Sequence, residues 1–258
     1  MVDRRIVAAG LGLAVFGAGW ATHALVSRGP DRPSPLLAER AAPAPPPPAS
    51  APAPTASTST KEVFDDIYRQ GKWGHNSEDA GSSGFGSMIG PTLLYRTFLE
   101  HFMKAKGVRS VVDAGCGDWE FSRAIDWSGI DYKGYDIVES VIVGDNKKYA
   151  KPNVQFFVAD IVNEDLPAAD LLISKNVLQH LPTADVQKFL KQLREYEHVL
   201  LVDGVDPRTL AGKNEDIAAG EYRDLDLTRP PFNLRAAKAL TYWDGGSMQQ
   251  VVYVPRQP

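Results

Sequence analysis

The chain has 258 residues, 43% of them hydrophobic and 23% charged, with 19 prolines and a single cysteine. That composition suits a globular domain with an unusual segment attached, and one cysteine excludes both an internal disulfide and a cysteine-built zinc site. The net charge is −4, yet residues 1–60 hold five basic and three acidic side chains. The body is therefore net acidic, which argues against general nucleic-acid binding, since that rests on neutralising phosphates.

Residues 1–5 make a short basic start. Residues 6–27, IVAAGLGLAVFGAGWATHALVS, carry no charge while His23 is neutral. As a helix they would reach roughly 33 Å, enough for a bilayer core. Three readings compete: a transmembrane anchor, which we favour, a signal sequence, and an Ala/Gly-rich helix packed on the body. The long apolar run and the lack of an A-x-A site weigh against a cleaved signal. Basic residues stand on both flanks, so charge does not set the orientation. Residues 28–60 contain ten prolines among Ala, Ser and Thr and read as an extended, disordered linker.

Residues 61–258 read as one domain. IYRQGKWGHNSEDAGSSGFGS is polar and glycine-rich, either a surface loop or a lid. PTLLYRTFLEHFMKAKG predicts an amphipathic helix closing at Gly107. RSVVDAG predicts a strand, and EFSRAIDW a helix after it. DYKGYDIV is a second strand, VESVIVGDNKKYA a helix, NVQFFVAD a third strand and ADLLISKN a fourth. TADVQKFLKQLREY carries a helical stripe of Val186, Phe189, Leu190 and Leu193, and EHVLLVDG is a fifth strand. KALTYWDG and MQQVVYVPR, split by GGS, suit a terminal antiparallel hairpin. Strands alternating with helices predict an α/β fold with a mostly parallel sheet covered on both faces.

The first strand ends at Asp113, and Gly115 and Gly117 follow at a spacing of two. Glycines there let the backbone turn sharply and approach a ligand. A helix behind them would present free N–H groups where ligands bind parallel sheets. A dinucleotide fingerprint needs a third glycine, and Trp119 and Glu120 stand where it would come. Asp136 ends the second strand, where a carboxylate can accept from two ribose hydroxyls. Asp160 ends the third, placed to accept from an adenine amino group, and Lys175 and Asn176 close the fourth.

Together VVDAGCGDW, YDIV, VADI and ADLLISKNVLQHLP resemble the motifs of class I S-adenosylmethionine-dependent methyltransferases, strongly over residues 110–205. The resemblance implies a Rossmann-like, doubly wound sheet of seven strands with an antiparallel C-terminal strand, and S-adenosyl-L-methionine as cofactor. It implies Asp113, Gly115 and Gly117 around the methionine portion, Asp136 and Ile137 on the ribose, Asp160 and Ile161 near the adenine, and Lys175 on the cofactor. Trp119 departs from the pattern and is expected to narrow the cofactor loop. The stretch before the first helix is similar to lids of bacterial small-molecule and sugar methyltransferases. That likeness implies Trp73 on the acceptor, Ser83 and Gly84 donating to the cofactor carboxylate, and Arg96 pairing with it.

Methyl transfer from a sulfonium is an in-line displacement that depends mainly on alignment. An oxygen acceptor also needs a base, for which His180 is the first candidate and Asp203 the second. Asn176, Tyr222 and Arg223 are candidates for acceptor binding. His75, His101 and His198 show no ligand spacing, so no metal is expected. The expected partners are a small-molecule or saccharide acceptor and a membrane held through residues 6–27. The methyl donor is made and kept in the cytosol, so a tethered catalytic domain is expected to face that side. N-methylation of a small amine or protein, and a non-catalytic cofactor-binding module, remain as alternatives.

Overall fold

The computed structural model describes residues 59–75 and 82–256, all within the unit Ala53–Pro258. The anchor expected at 6–27, nearly all of the linker at 28–60, and residues 76–81 of the expected lid lie outside the described residues. Among the described residues, no helix is long and apolar enough to cross a membrane.

Seven strands form one sheet: β1 (Ser110–Ala114), β2 (Asp131–Asp136), β3 (Val154–Val158), β4 (Leu171–Lys175), β5 (His198–Val205), β6 (Ala237–Trp243) and β7 (Met248–Pro255). Their order is β3-β2-β1-β4-β5-β7-β6. β7 runs antiparallel to both β5 and β6, and the other pairs are parallel. β4 is buried at all five positions, as a central parallel strand with both faces covered must be. This is the Rossmann-like, doubly wound sheet with a reversed last strand. The chain leaves β1 toward β2 and β3 and then returns to β4 and β5 on the other side, so a crevice opens between the ends of β1 and β4.

Two hydrophobic clusters pack against the sheet. One includes Tyr95, Leu99 and Met103 of α2 (Leu93–Lys106), Ile142 of α3 (Glu139–Tyr149), and Val111, Ile173 and Leu200 of the strands. The other includes Phe64, Ile67 and Tyr68 of α1 (Thr60–Arg69), Val186 and Phe189 of α4 (Thr183–Phe189), and Val112, Leu172 and Leu201. α2 stops at Gly107, whose φ of 65° is the left-handed turn that glycine adopts at little cost. The helix expected over 183–196 holds only to Phe189 and then tightens into a 3-10 helix, Leu190–Glu195.

Two expectations fail locally. EFSRAIDW is no α-helix, but a 3-10 turn at Ser122–Ala124 followed by irregular chain. Ile125 and Trp127 are both buried, and residues two apart cannot share one helix face. The Trp127 indole N–H instead donates to Ser122 O at 2.8 Å. No helix N-terminus therefore follows the glycine loop. Conversely, α1 was not expected. Its start is a capping box, in which the Glu62 N–H donates to Ser59 Oγ and the Ser59 N–H to Glu62 Oε2.

Leu200 on β5 is fully buried. Leu200→Ala should therefore cost about 2–5 kcal/mol, read as a lower urea midpoint with an unchanged slope.

Candidate functional site

A cleft of about 800 Å³, counting its open mouth, lies at the carboxyl ends of β1 to β4. It is lined by Trp73, Ser83, Asp113, Gly115, Gly117, Asp136, Ile137, Asp160, Ile161, Lys175, Asn176 and His180. The fold thus brings together most of the residues chosen from sequence.

The floor is the loop after β1. Gly115 and Gly117 have φ of 82° and 55°. A Cβ on Gly115 would lie 2.4 Å from Val177 Cγ2, and one on Gly117 only 2.2 Å from Ser83 Oγ. The N–H groups of Gly115 and Cys116 both donate to Tyr135 O, at 2.8 and 3.0 Å. The Gly117 N–H donates to Asp136 Oδ2 at 3.1 Å, and the Val138 N–H to Asp136 Oδ1 at 3.0 Å. Burial raises the Asp136 carboxyl above its ordinary range, and these backbone donors oppose the shift. Asp113 accepts from the Tyr132 hydroxyl at 2.6 Å. Burial carries its pKa up to about 7.

The lid residues close over that loop. The Asp118 N–H donates to Ser83 Oγ at 2.8 Å, and the Ser83 N–H donates back to Asp118 Oδ2 at 3.2 Å. Tyr68 Oη lies 2.7 Å from the same Ser83 hydroxyl. Lys175 Nζ donates to Gly86 O at 2.7 Å and lies 5.9 and 5.6 Å from the ring centres of Tyr95 and Phe121. Burial lowers the Lys175 pKa to about 8, against the pull of Asp244, Asp203 and Asp113. Asn176 sits at φ 57°, and its buried Oδ1 has no partner within the protein.

His180 lies at the mouth with its ring 4.9 Å from that of Trp73. Its Nδ1 is 2.8 Å from Glu221 O, and a carbonyl only accepts, so Nδ1 carries the proton. Its Nε2 faces Gln179 Nε2 at 3.3 Å. The Gln179 amide is oriented by the Gly204 N–H, which donates to Oε1 at 2.6 Å. His180 Nε2 is therefore an acceptor, and burial lowers the ring's pKa.

Five chosen residues fall outside the cleft lining. The Arg96 guanidinium turns back on its own helix, donating to Ile89 O at 3.0 Å and Thr92 Oγ1 at 3.3 Å. Gly84 forms the turn before the 3-10 helix Phe85–Ser87, and its N–H bonds to Ser82 Oγ. Asp203 is buried behind Gln179, accepting from its N–H at 3.0 Å, and burial raises its pKa to about 7. Arg223 is a buried clamp on Thr183 Oγ1, Glu215 O and Leu181 O. Tyr222 is exposed, with its hydroxyl donating to Asp224 Oδ1. Trp119 does not narrow the cleft, because it turns into the core against Tyr132, Tyr149 and Phe156. Sequence reading missed Thr60, Phe64 and Tyr68 of α1, which also line the cleft. The S-x-x-E box at Ser59–Glu62 was the available signal. Among the described residues, no group of three or more His, Cys, Asp or Glu side chains is placed to hold a metal ion.

The residues fit a nucleoside sulfonium. A buried carboxyl at 113 and a partly buried one at 136 complement a cation, the glycine cradle would be filled by any Cβ, and Asn176 Oδ1 lacks a partner. Residues 112–198 match the family described as a methyltransferase domain. That match, the fold and the cleft together support a class I S-adenosylmethionine-dependent methyltransferase with S-adenosylmethionine as methyl donor. Among solved structures, magnesium protoporphyrin IX methyltransferase of Synechocystis PCC 6803 with bound SAM is similar at 16% identity. The likeness covers 79% of this chain and all of that one, with a TM-score of 0.56. The 1,6-didemethyltoxoflavin-N1-methyltransferase of Burkholderia thailandensis is similar at 13% identity, over 81% of this chain and 95% of that one, with a TM-score of 0.57. At these identities the likeness establishes the fold. No curated protein matches by sequence.

Two outcomes test the site. Gly117→Ala meets both a left-handed φ and the Ser83 contact, so affinity for S-adenosylhomocysteine should fall by about tenfold or more in calorimetry. Asp203 has a folded pKa raised above its unfolded value, so its contribution to stability is complete in acid and is lost as pH rises toward 7. The urea midpoint of the native chain relative to Asp203→Asn should therefore fall between pH 4 and pH 8.

Proposed function

We propose that the enzyme methylates an oxygen of a small polar molecule or saccharide, with His180 taking the proton. The carrying observation is the fixed tautomer of His180, which leaves Nε2 as an acceptor at the cleft mouth. The ring is held neutral because burial disfavours its cation. The acceptor hydroxyl replaces the Gln179 amide on Nε2, and its proton passes to that nitrogen as the new O–C bond forms. S-adenosylmethionine, when bound, supplies a methyl group already activated by its sulfonium charge.

The chain's own groups do the rest. Asp136 accepts from the ribose, with Ile137 beside it, and Asp160 and Ile161 border the adenine. Asp113 and the glycine loop receive the methionine portion. Lys175 holds the lid through Gly86 O, Trp73 packs over the acceptor beside His180, and Asn176 Oδ1 is free to orient it. The lid excludes water from the reacting atoms. In keeping with the uncharged run at 6–27, we further place the enzyme on the cytosolic side of a membrane, tethered through the proline-rich linker.

The neighbour named for N1 methylation belongs to the same fold, so nitrogen is the rival acceptor atom. The tests are kinetic. His180→Ala should lower kcat by about 10²–10⁴-fold with S-adenosylhomocysteine affinity little changed, measured as labelled methyl incorporated from extracts of small molecules and glycolipids. The native rate should hold level below pH 6.5, the ordinary histidine value, and fall only in stronger acid. A His180→Ala enzyme as fast as the native one would remove the base. Tight cofactor binding without incorporation into any extract would instead favour the non-catalytic module.

A further inference from the structure

Four large apolar side chains stand about half exposed within ten residues: Phe85 at 51%, Met88 at 49%, Leu93 at 57% and Leu94 at 54%. None of them lines the cleft. Their place in the fold is specific. α2 feeds β1 through Gly107, so its amino end, which carries Leu93 and Leu94, returns to the rim where the strands end. The neighbouring Tyr95 confirms this, with its ring 5.9 Å from Lys175 Nζ. Phe85 reaches the turn between β6 and β7, 3.3 Å from where a Cβ of Gly245 would lie. Phe85, Leu93 and Leu94 therefore sit on the rim that carries the cleft mouth, and Met88 lies between them in the chain. The opposite end of α2 carries Lys104 and Lys106.

The point of attachment supplies the second observation. The 58 residues before the described domain, with their uncharged run at 6–27, join it at Ser59, which caps α1. The next residue, Thr60, lines the cleft. The described chain thus begins at the same rim. A domain held near a bilayer by its own chain meets that surface at high effective concentration, so a weak interfacial contact is enough to orient it. Exposed Phe, Leu and Met on one edge of a water-soluble surface are the groups that enter the boundary between headgroups and acyl chains. Four side chains are too few for a standard protein–protein interface, which takes about 20–30 residues a side.

We propose that Phe85, Met88, Leu93 and Leu94 dip into the bilayer surface and turn the cleft mouth toward the headgroups, so that the acceptor is a membrane-borne molecule. This rests on the tether reading of residues 6–27, and the experiment separates the two. The full chain is mixed with phosphatidylcholine–phosphatidylglycerol vesicles and sedimented, with an environment-sensitive dye on Leu94→Cys or, as control, on Lys104→Cys at the other end of α2. Cys116 is buried and stays unlabelled. The expected result is sedimentation of both proteins, with spin-labelled lipid quenching the dye at 94 about threefold or more over that at 104, as insertion into the acyl boundary requires.

Sedimentation with equal quenching at the two positions overturns the docking face and leaves the tether standing. Failure to sediment overturns both. A dye at 94 shielded from aqueous iodide yet unquenched by lipid reports cover by a second copy or by residues 6–27, and also overturns the proposal. S-adenosylhomocysteine binding, measured on both labelled proteins, shows that they are folded.

Discussion

The cleft depends on a turn of three residues, two of which, Gly115 and Gly117, carry no side chain. Ser83 rests on the loop because Gly117 has no Cβ, which would fall 2.2 Å from the serine hydroxyl. Through that contact Ser83 exchanges two hydrogen bonds with Asp118, and Tyr68 of α1 reaches the same hydroxyl. From below, Asp136 grips the Gly117 N–H, and Tyr135 O receives the two N–H groups before it. Three separate pieces of chain, the lid, α1 and the end of β2, are thus fastened to one reversal of the backbone. The crevice between β1 and β4 would exist without the glycines. Its walls would not.

The same closeness sets the electrostatics. Asp113 is buried and Asp136 partly so, and burial is the main cause that pushes both carboxyls up. Lys175 is pushed the other way, though three carboxylates oppose the shift. A cleft whose acids are raised by desolvation gains when a cation enters, because a positive charge favours the ionised carboxylate and lowers its pKa. A sulfonium donor carries that charge and the spent thioether does not.

That the acids expected around the cofactor meet in one cleft was legible in the sequence, and the physical reason is local. Each of these acids stands at the end of a short β-branched or aromatic strand, so the pattern that marks the strand also marks the position. Asp113, Asp136 and Asp160 close VVD, YKGYD and FFVAD and arrive at one cleft. What failed was set by contacts distant in sequence. EFSRAIDW carries the spacing Phe121–Ile125 of a helix, but Trp127 is drawn into the core as well, and the two demands are incompatible with one helix face. α1 was hidden by its neighbourhood, since its capping box directly follows a proline-rich run. Trp119 looked like an obstruction because its sequence position is beside the cofactor loop; its side chain satisfies the aromatic cluster on the far side of the sheet.

The acceptor half was misread in a more instructive way. Asp203 and Arg223 are charged residues on the correct rim, yet both are buried in hydrogen bonds to the segment that carries His180. Asp203 holds the Gln179 N–H just before the histidine, while Arg223 grips Leu181 O and Thr183 Oγ1 just after it. The Gly220 N–H donates to His180 O, and Glu221 O fixes the ring tautomer. The loop that looked like a substrate-binding flap is thus the socket of one imidazole. Its charges are spent on internal hydrogen bonds, and a polar count along the sequence could not tell them from a binding surface. A ring fixed this firmly at both nitrogens has little freedom to follow an acceptor. On the proposed reading the acceptor comes to that ring, past Trp73, whose ring lies 4.9 Å from it.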